Sequence, residues 1–249
     1  MIKVKNKKEI SLMKSACAVA AEVIRLLSKN LKPGITTQEL DREAEALIRQ
    51  KGALPAFKGY RGYPATICVS VNEEVVHGIP GSRRIKNGDL VSLDVGVKLA
   101  GYFGDVAATF GVGQVAAEYQ KLLQTTQEAL SRGIAQARAG NHLLDISAAI
   151  QEYVESRGYS VVRKFVGHGI GSQMHEEPEI PNFGPAGEGP LLTAGMTLAI
   201  EPMVNLGGFE VQILKDQWTA VTKDRLPSAH FEHTICITKN GAEILTNWE

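Results

Sequence analysis

Two histidines, His168 and His175, stand in the run KFVGHGIGSQMHEEPEIP among Gly167, Gly169 and Gly171, with Glu176, Glu177 and Pro178 close behind. An H-E-x-x-H zinc helix would be one chemistry for such a run. Here His175 is followed by E-E-P-E, and Pro178 cannot lie inside the helix that motif needs. The glycines predict a turn that lets backbone come close to something, with an imidazole at each end. Single acids mark four other places. Asp94 in VSLDVGV, Asp105 in FGDVAATF, Glu201 in LAIEPMV and Glu232 in AHFEHTICI each interrupt a run that otherwise reads as a buried strand. A buried carboxylate with no partner is costly or takes up a proton. An arginine could balance one of them, but four, two in each half of the chain, need a stronger source of positive charge. If they converge, each pair about 4 Å apart repels by roughly 4 kcal/mol at an effective dielectric near 20. With a neutral His168 the set carries four negative charges, which two divalent cations neutralise. Oxygen ligands with one imidazole suit Mn, Co, Fe or Zn, and the lack of thiolate argues against a structural zinc site. Bridging carboxylates would hold such ions roughly 3.5–4 Å apart, the two-metal hydrolytic arrangement.

The elements that must position these residues are α and β in turn. Ile10, Met13, Cys17, Ala20, Ile24, Leu27 and Leu31 recur at steps of three and four, one face of a helix. Asn6 with Glu9 predicts its N-cap, and Pro33-Gly34 its end. A second helix begins at Thr36-x-x-Glu39, carries Leu40, Ala44, Leu47 and Ile48 inward, and stops at Gly52. The stretches TICVSVN, DLVSLDVGV and GYFGDVAATFGVG read as strands. Helix returns from about 116 to Gly140 and from about Asn141 to Gly158, and the remainder reads as strand and turn. A weak repeat lays 34–52 over 140–158 without a gap, and nearly the same offset pairs Asp94 with Glu201. It predicts two α+β halves, roughly 1–115 and 116–249, around a pseudo-twofold axis within one catalytic domain.

Composition narrows the classes. The chain has 249 residues, 27 basic and 27 acidic, for a formal charge of zero. That leaves no broad electrostatic case for nucleic acid or a membrane surface. The Lys-rich start, KVKNKK, reads as a solvated end. Nothing resembles a signal peptide, and no apolar run approaches the roughly 20 residues of a membrane span. Cys17, Cys68 and Cys236 are few, odd in number and far apart, as suits a reducing cytoplasm.

The runs GYPATICVSVNEEVVHGIP, VSLDVGVKLAGYFGD, VGHGIGSQMHEEP, LAIEPMV and SAHFEHT occur in this order and span essentially the whole chain. Together they closely resemble the methionine aminopeptidase family. The resemblance implies the pita-bread fold and hydrolysis of the first peptide bond, removing initiator methionine when the second residue is small. It implies metal ligands at Asp94, Asp105, His168, Glu201 and Glu232, with Asp105 and Glu232 bridging two ions of Co, Mn, Fe or Zn. It places substrate contacts at His77 and His175: His175 on the oxygen that becomes negative, His77 on the leaving side. Glu201 is the expected proton carrier. A soft apolar methionine pocket is implied at Tyr60, Tyr63, Cys68, Met174 and Trp218, sulfur against aromatic rings.

Only 31 positions separate Glu201 from Glu232, which leaves no room for the type II helical insertion, and the short start lacks a eukaryotic type I extension. The pattern resembles the short bacterial type I form. Its expected setting is a cytoplasmic monomer, acting on the N-terminal segment of nascent polypeptides with transient ribosome association and no specific nucleic acid. One position departs from the family. Two residues before the bridging glutamate, where glutamine is usual, stands His230, which on a strand would share a face with Glu232 while His233 points away. Two rivals are a prolidase-like enzyme that cuts before proline, which usually has an extra N-terminal domain, and a non-catalytic pita-bread binding module, which loses ligands.

Overall fold

The computed structural model describes residues 2–248. Helices α1 (Lys7–Asn30) and α2 (Thr37–Gln50) come first. Strands β1 (Leu54–Pro55), β2 (Cys68–Val71), β3 (Glu74–Val76), β4 (Leu90–Leu99) and β5 (Tyr102–Gly111) follow. After α3 (Ala117–Gln136) and α4 (Leu143–Glu155) come β6 (Ser160–Val161), β7 (Gly167–Gly169), β8 (Glu176–Ile180), β9 (Thr197–Ile200) and β10 (Met203–Asn205). The chain closes with β11 (Val211–Ile213), β12 (Ala220–Thr222), β13 (Ser228–His230), β14 (Glu232–Thr238) and β15 (Gly241–Ile244).

Local signals set the helix starts. Asn6 and Thr36 both form complete capping boxes, their side chains accepting from Glu9 and Glu39 backbone N–H while those glutamates reach back. α4 starts at His142, whose ring pairs with the Gly189 carbonyl at 2.9 Å, so this imidazole is engaged rather than left to water. The nine-stranded sheet runs β1-β4-β5-β14-β9-β7-β8, with β2 also on β4 and β15 on β14. Strict alternation in β4 decides what faces where. Val91, Leu93, Val95 and Val97 join the core with Val23, Ile24 and Leu27 of α1, while Ser92, Asp94 and Gly96 project from the opposite face. That opposite face carries the site.

The glycine run that the sequence reads as a turn is only partly one. Gly167–Gly169 is a strand paired on both sides, to β8 and to β9. A Cβ on Gly169 would overlap the Glu177 carbonyl, and one on Gly167 the Ala199 carbonyl. The close backbone approach is therefore to the protein's own neighbouring strands.

α1 sits equally close to β5. A Cβ on Gly104 would lie 2.6 Å from the Cys17 backbone nitrogen and 2.7 Å from its Cα. Gly104→Val should push α1 off the sheet and destabilise the protein by about 1–3 kcal/mol, lowering the melting temperature by roughly 2–12 °C. Thermal melts followed by circular dichroism would check this; an unchanged melting temperature would contradict the contact.

Candidate metal centre

Strand register assembles the site. Asp94 lies opposite Ala107 and Asp105 opposite Gly96 across β4 and β5. Opposed residues share a face, as do residues two apart, so both aspartates project together. Glu232 is registered on Ala107 and joins them. Its neighbour His233 pairs with Ile200 on the other face, and there its Nδ1 lies 3.0 Å from Thr246 Oγ1. The residue after Ile200 is Glu201, which returns to the acidic face. Glu201 sits just past the end of β9 rather than inside a strand, because Pro202 ends the ladder there. His168 pairs with Ala199, two residues before Glu201. Strands β4, β5, β7 and β14 and the residue just past β9 thus bring Asp94, Asp105, His168, Glu232 and Glu201 into one cavity.

Donor atoms of Asp105, His168 and Glu232 all lie within 4.8 Å of one another. His168 Nε2 is 3.7 Å from Asp105 Oδ2 and 3.7 Å from Glu201 Oε1. Its Nδ1 lies 2.9 Å from the Gly169 carbonyl, which can only accept. The ring proton therefore sits on Nδ1, and Nε2 presents a lone pair to the carboxylates. Asp94 Oδ1, Asp105 Oδ1, Glu232 Oε1 and His230 Nε2 are buried without a hydrogen-bond partner among the described residues. Orphaned buried acceptors are expensive, and a cation satisfies several at once. The donor set fits divalent metal, and only one basic side chain, the exposed Arg61, lines the cavity.

Burial raises all four carboxyls. It lifts Asp94 to about 7 and Glu201 to about 8. Asp105 and Glu232 are also raised well above the usual carboxylate range, by burial first and then by the charges of the neighbouring acids. Burial acts oppositely on the bases, depressing His168 to about 3 and His77 to about 4. Without metal the site is a set of carboxyls that prefer protons beside imidazoles that refuse them.

The cavity is about 160 Å³, below the roughly 300–1,000 Å³ of drug-sized sites and suited to one amino-acid side chain. Tyr60, Tyr63, Cys68, His77 and Trp218 line it beside the acids, together with His175. Met174 is not among the lining residues and is buried, at 2 % exposure. Phe57 and Arg61 line the cavity and escaped the sequence reading. The available signal for Phe57 was Gly96 in mid-strand, where a Cβ would run into the Phe57 ring. Tyr63 and Trp218 meet edge to face at 5.1 Å. His77 holds a left-handed φ of 60° just after β3, and its ring stands edge-on to Phe165 at 5.3 Å. Strain of this kind persists where surrounding packing fixes it. The His175 ring lies tilted at 49°, 4.3 Å from the His168 ring, and puts Nδ1 2.8 Å from Tyr60 Oη.

His230 is fully enclosed and turns its ring toward the acids. Its Nε2 lies 3.5 Å from Glu201 Oε2. Phe231 breaks the strand, so His230 belongs to β13, paired with Met203 just beyond Glu201. A larger hollow of about 640 Å³ beside α3 takes in Phe231 and His233 but none of the clustered acids, so size alone does not locate the chemistry.

Raised carboxyl pKa values mean that the metal-free fold takes up protons, so its stability is present at low pH and lost as pH rises through about 7 to 8. Above the ordinary histidine value of 6.5 the depressed imidazoles add nothing to this trend. Chelator-stripped protein should therefore melt progressively lower between about pH 6.5 and 8.5, and saturating Mn(II) should abolish the decline. Flat melting temperatures for the stripped protein across that window would show that the acids do not converge.

Comparison with known proteins bears directly on this geometry. The description "Metallopeptidase family M24" matches residues 11–239. A methionine aminopeptidase of Clostridium perfringens is 54% identical over 246 residues, covering 99% of both chains. The crystal structure of a Thermotoga maritima methionine aminopeptidase superposes with a TM-score of 0.98 at 47% identity, covering 99% of this chain and 100% of that one. A prolidase from Pyrococcus furiosus shares the fold at TM-score 0.82 and 26% identity, over 99% of this chain and 66% of its own. With its acids gathered on one face of a curled sheet and its sequence matched over nearly its full length, the chain belongs to metallopeptidase family M24 and has that family's pita-bread fold.

Proposed function

We propose that this protein is a methionyl aminopeptidase that removes the first residue of polypeptides beginning Met followed by a small residue. The observation that carries the reading is the junction of two features in one cavity: four carboxyls with the His168 imidazole, and an apolar recess of Tyr60, Tyr63, Cys68 and Trp218 of a kind that suits a thioether. Asp94, Asp105, His168, Glu201 and Glu232 would hold two divalent ions, drawn from Mn, Fe, Co and Zn. Bound there, the ions would supply Lewis acidity to the scissile carbonyl and lower the pKa of the attacking water.

The chain's own groups do the rest. Burial and the nearby Arg61 charge hold His175 below the usual imidazole range, so it is neutral at pH 7. Tyr60 Oη lies 2.8 Å from His175 Nδ1; in the tautomer where the phenol donates, the ring proton would lie on Nε2, free to be given to the oxygen that becomes negative. His77, neutral and wedged against Phe165 and Trp218, would contact the amide on the leaving side. Glu201, whose carboxyl titrates near neutrality when metal-free, is suited to take a proton from the attacking water and pass it to the departing amine.

The setting follows from the same chemistry. Among the described residues no helix is long and apolar enough to cross a membrane. Cys17, Cys68 and Cys236 are all free and buried. A monomer in the reducing cytoplasm, acting on emerging N-termini, accommodates these features.

Two experiments test this. His175→Ala should keep its metal, by elemental analysis, yet lose roughly 10²–10³ in kcat. His168→Ala should lose metal and activity together; a fully active His175→Ala would remove the oxyanion role. In the second, peptides starting Met-Gly, Met-Ala or Met-Ser should be cut and those starting Met-Leu or Met-Lys left intact, as read by liberated methionine. Faster cleavage of Leu-Pro or Arg-Pro peptides than of Met-Gly would assign the chain to prolidase chemistry.

A further inference from the structure

The turn that carries His175 is clamped from behind by an ion pair that nothing in the metal chemistry requires. Lys5 Nζ lies 2.7 Å from Glu176 Oε2, and both side chains are almost fully enclosed, at 4% and 3% exposure. The Lys-rich start is thus not a solvated end at this residue. Its backbone is pinned too: Lys5 N–H donates to the Gly195 carbonyl at 2.8 Å, beside a bridge between Val4 and Met196. Glu176 spends its other oxygen inside the turn. Oε1 accepts from Gln173 N–H at 3.2 Å and from Ser172 Oγ at 3.3 Å. Gly171 closes the bundle, since a Cβ there would lie 2.5 Å from Lys5 Cε and 2.8 Å from Glu176 Oε1. Its carbonyl takes the Phe103 N–H at 2.9 Å, tying the turn to β5. Ser172 and Gln173 are thus held by Glu176, Gly171 by Phe103 and Gln173, and two residues beyond Gln173 stands His175.

Enclosed ion pairs are weak devices for stability, because desolvation offsets much of the attraction. They are strong devices for geometry, because each oxygen has one place to be. We propose that Lys5 and Glu176 form a positioning pair that fixes the 171–175 turn and so aims His175 at the reacting carbonyl. The N-terminal segment is then part of the catalytic apparatus without touching a reacting atom. This rests on the oxyanion role assigned to His175 above.

The test is a double-mutant cycle on Met-Gly-starting peptide with Mn(II)-loaded enzyme. Lys5→Met and Glu176→Gln should each lower kcat by roughly 10- to 100-fold, the penalty for an ångström-scale misplacement, with KM and metal content nearly unchanged. Lys5→Arg, which keeps the charge, should recover most of the loss. In the His175→Ala background the same substitutions should cost nothing more, because the group they aim is gone. If Lys5→Met or Glu176→Gln folds too poorly to assay, the neutral pair Lys5→Met with Glu176→Gln replaces it in the same cycle. Wild-type kcat in these variants, or an equal loss with and without His175, would overturn the proposal. Full activity of His175→Ala alone would instead bring down the oxyanion assignment, and that single variant reads it separately.

Discussion

Four carboxyls that repel one another, held on one face of a sheet, are the constraint around which this protein is built. Asp94, Asp105 and Glu232 come from strands at the sheet's centre and Glu201 from the end of a fourth, and no lysine lines the cavity they share. The fold tolerates this because the opposite face of the same strands is a dense aliphatic layer against α1. Burial of that layer holds in place a surface that would otherwise fly apart, and period-two alternation keeps the two jobs on separate sides. The cost of the acidic face is returned only when cation charge arrives, so fold and metal are two halves of one energy balance.

What the sequence made legible was local or chemically conspicuous. Asn6 and Thr36 announced their helices because a capping box is written in four consecutive residues. The four acids stood out because each interrupts an apolar run. What was not legible depended on pairings between distant segments. The parity of His230 with Glu232 was readable, but the break at Phe231 and the approach to Glu201 were not. Gly167 and Gly169 looked like a turn because nothing nearby says that two other strands flank them. Phe57 was missed because only the β1–β4 neighbourhood brings it over Gly96. Lys5 looked like one more surface lysine until Glu176, far along the chain, was seen to cover it.

The imidazoles show how one residue type serves several ends in a small volume. His168 is fixed by the Gly169 carbonyl and faces acids. His175 is fixed by Tyr60 and faces the recess. His77 is fixed by aromatic edges and a left-handed backbone. His230 is enclosed against a carboxylate. In each case the partner of one ring atom decides what the rest of the ring can do, so the roles are set by neighbours rather than by the residue itself.

The order in which the sheet is filled has a consequence for the protein's own biogenesis. Asp94 and Asp105 belong to a hairpin made early, whereas β14, which lies between β5 and β9 and brings Glu232, is synthesised late. A ribosome therefore extrudes the first acidic pair long before its counterparts exist. A half-made copy can bury its helices against β4 and β5 but has no peptidase to offer, and a truncated copy never acquires one. The acidic face is complete only once its last central strand, β14, has arrived.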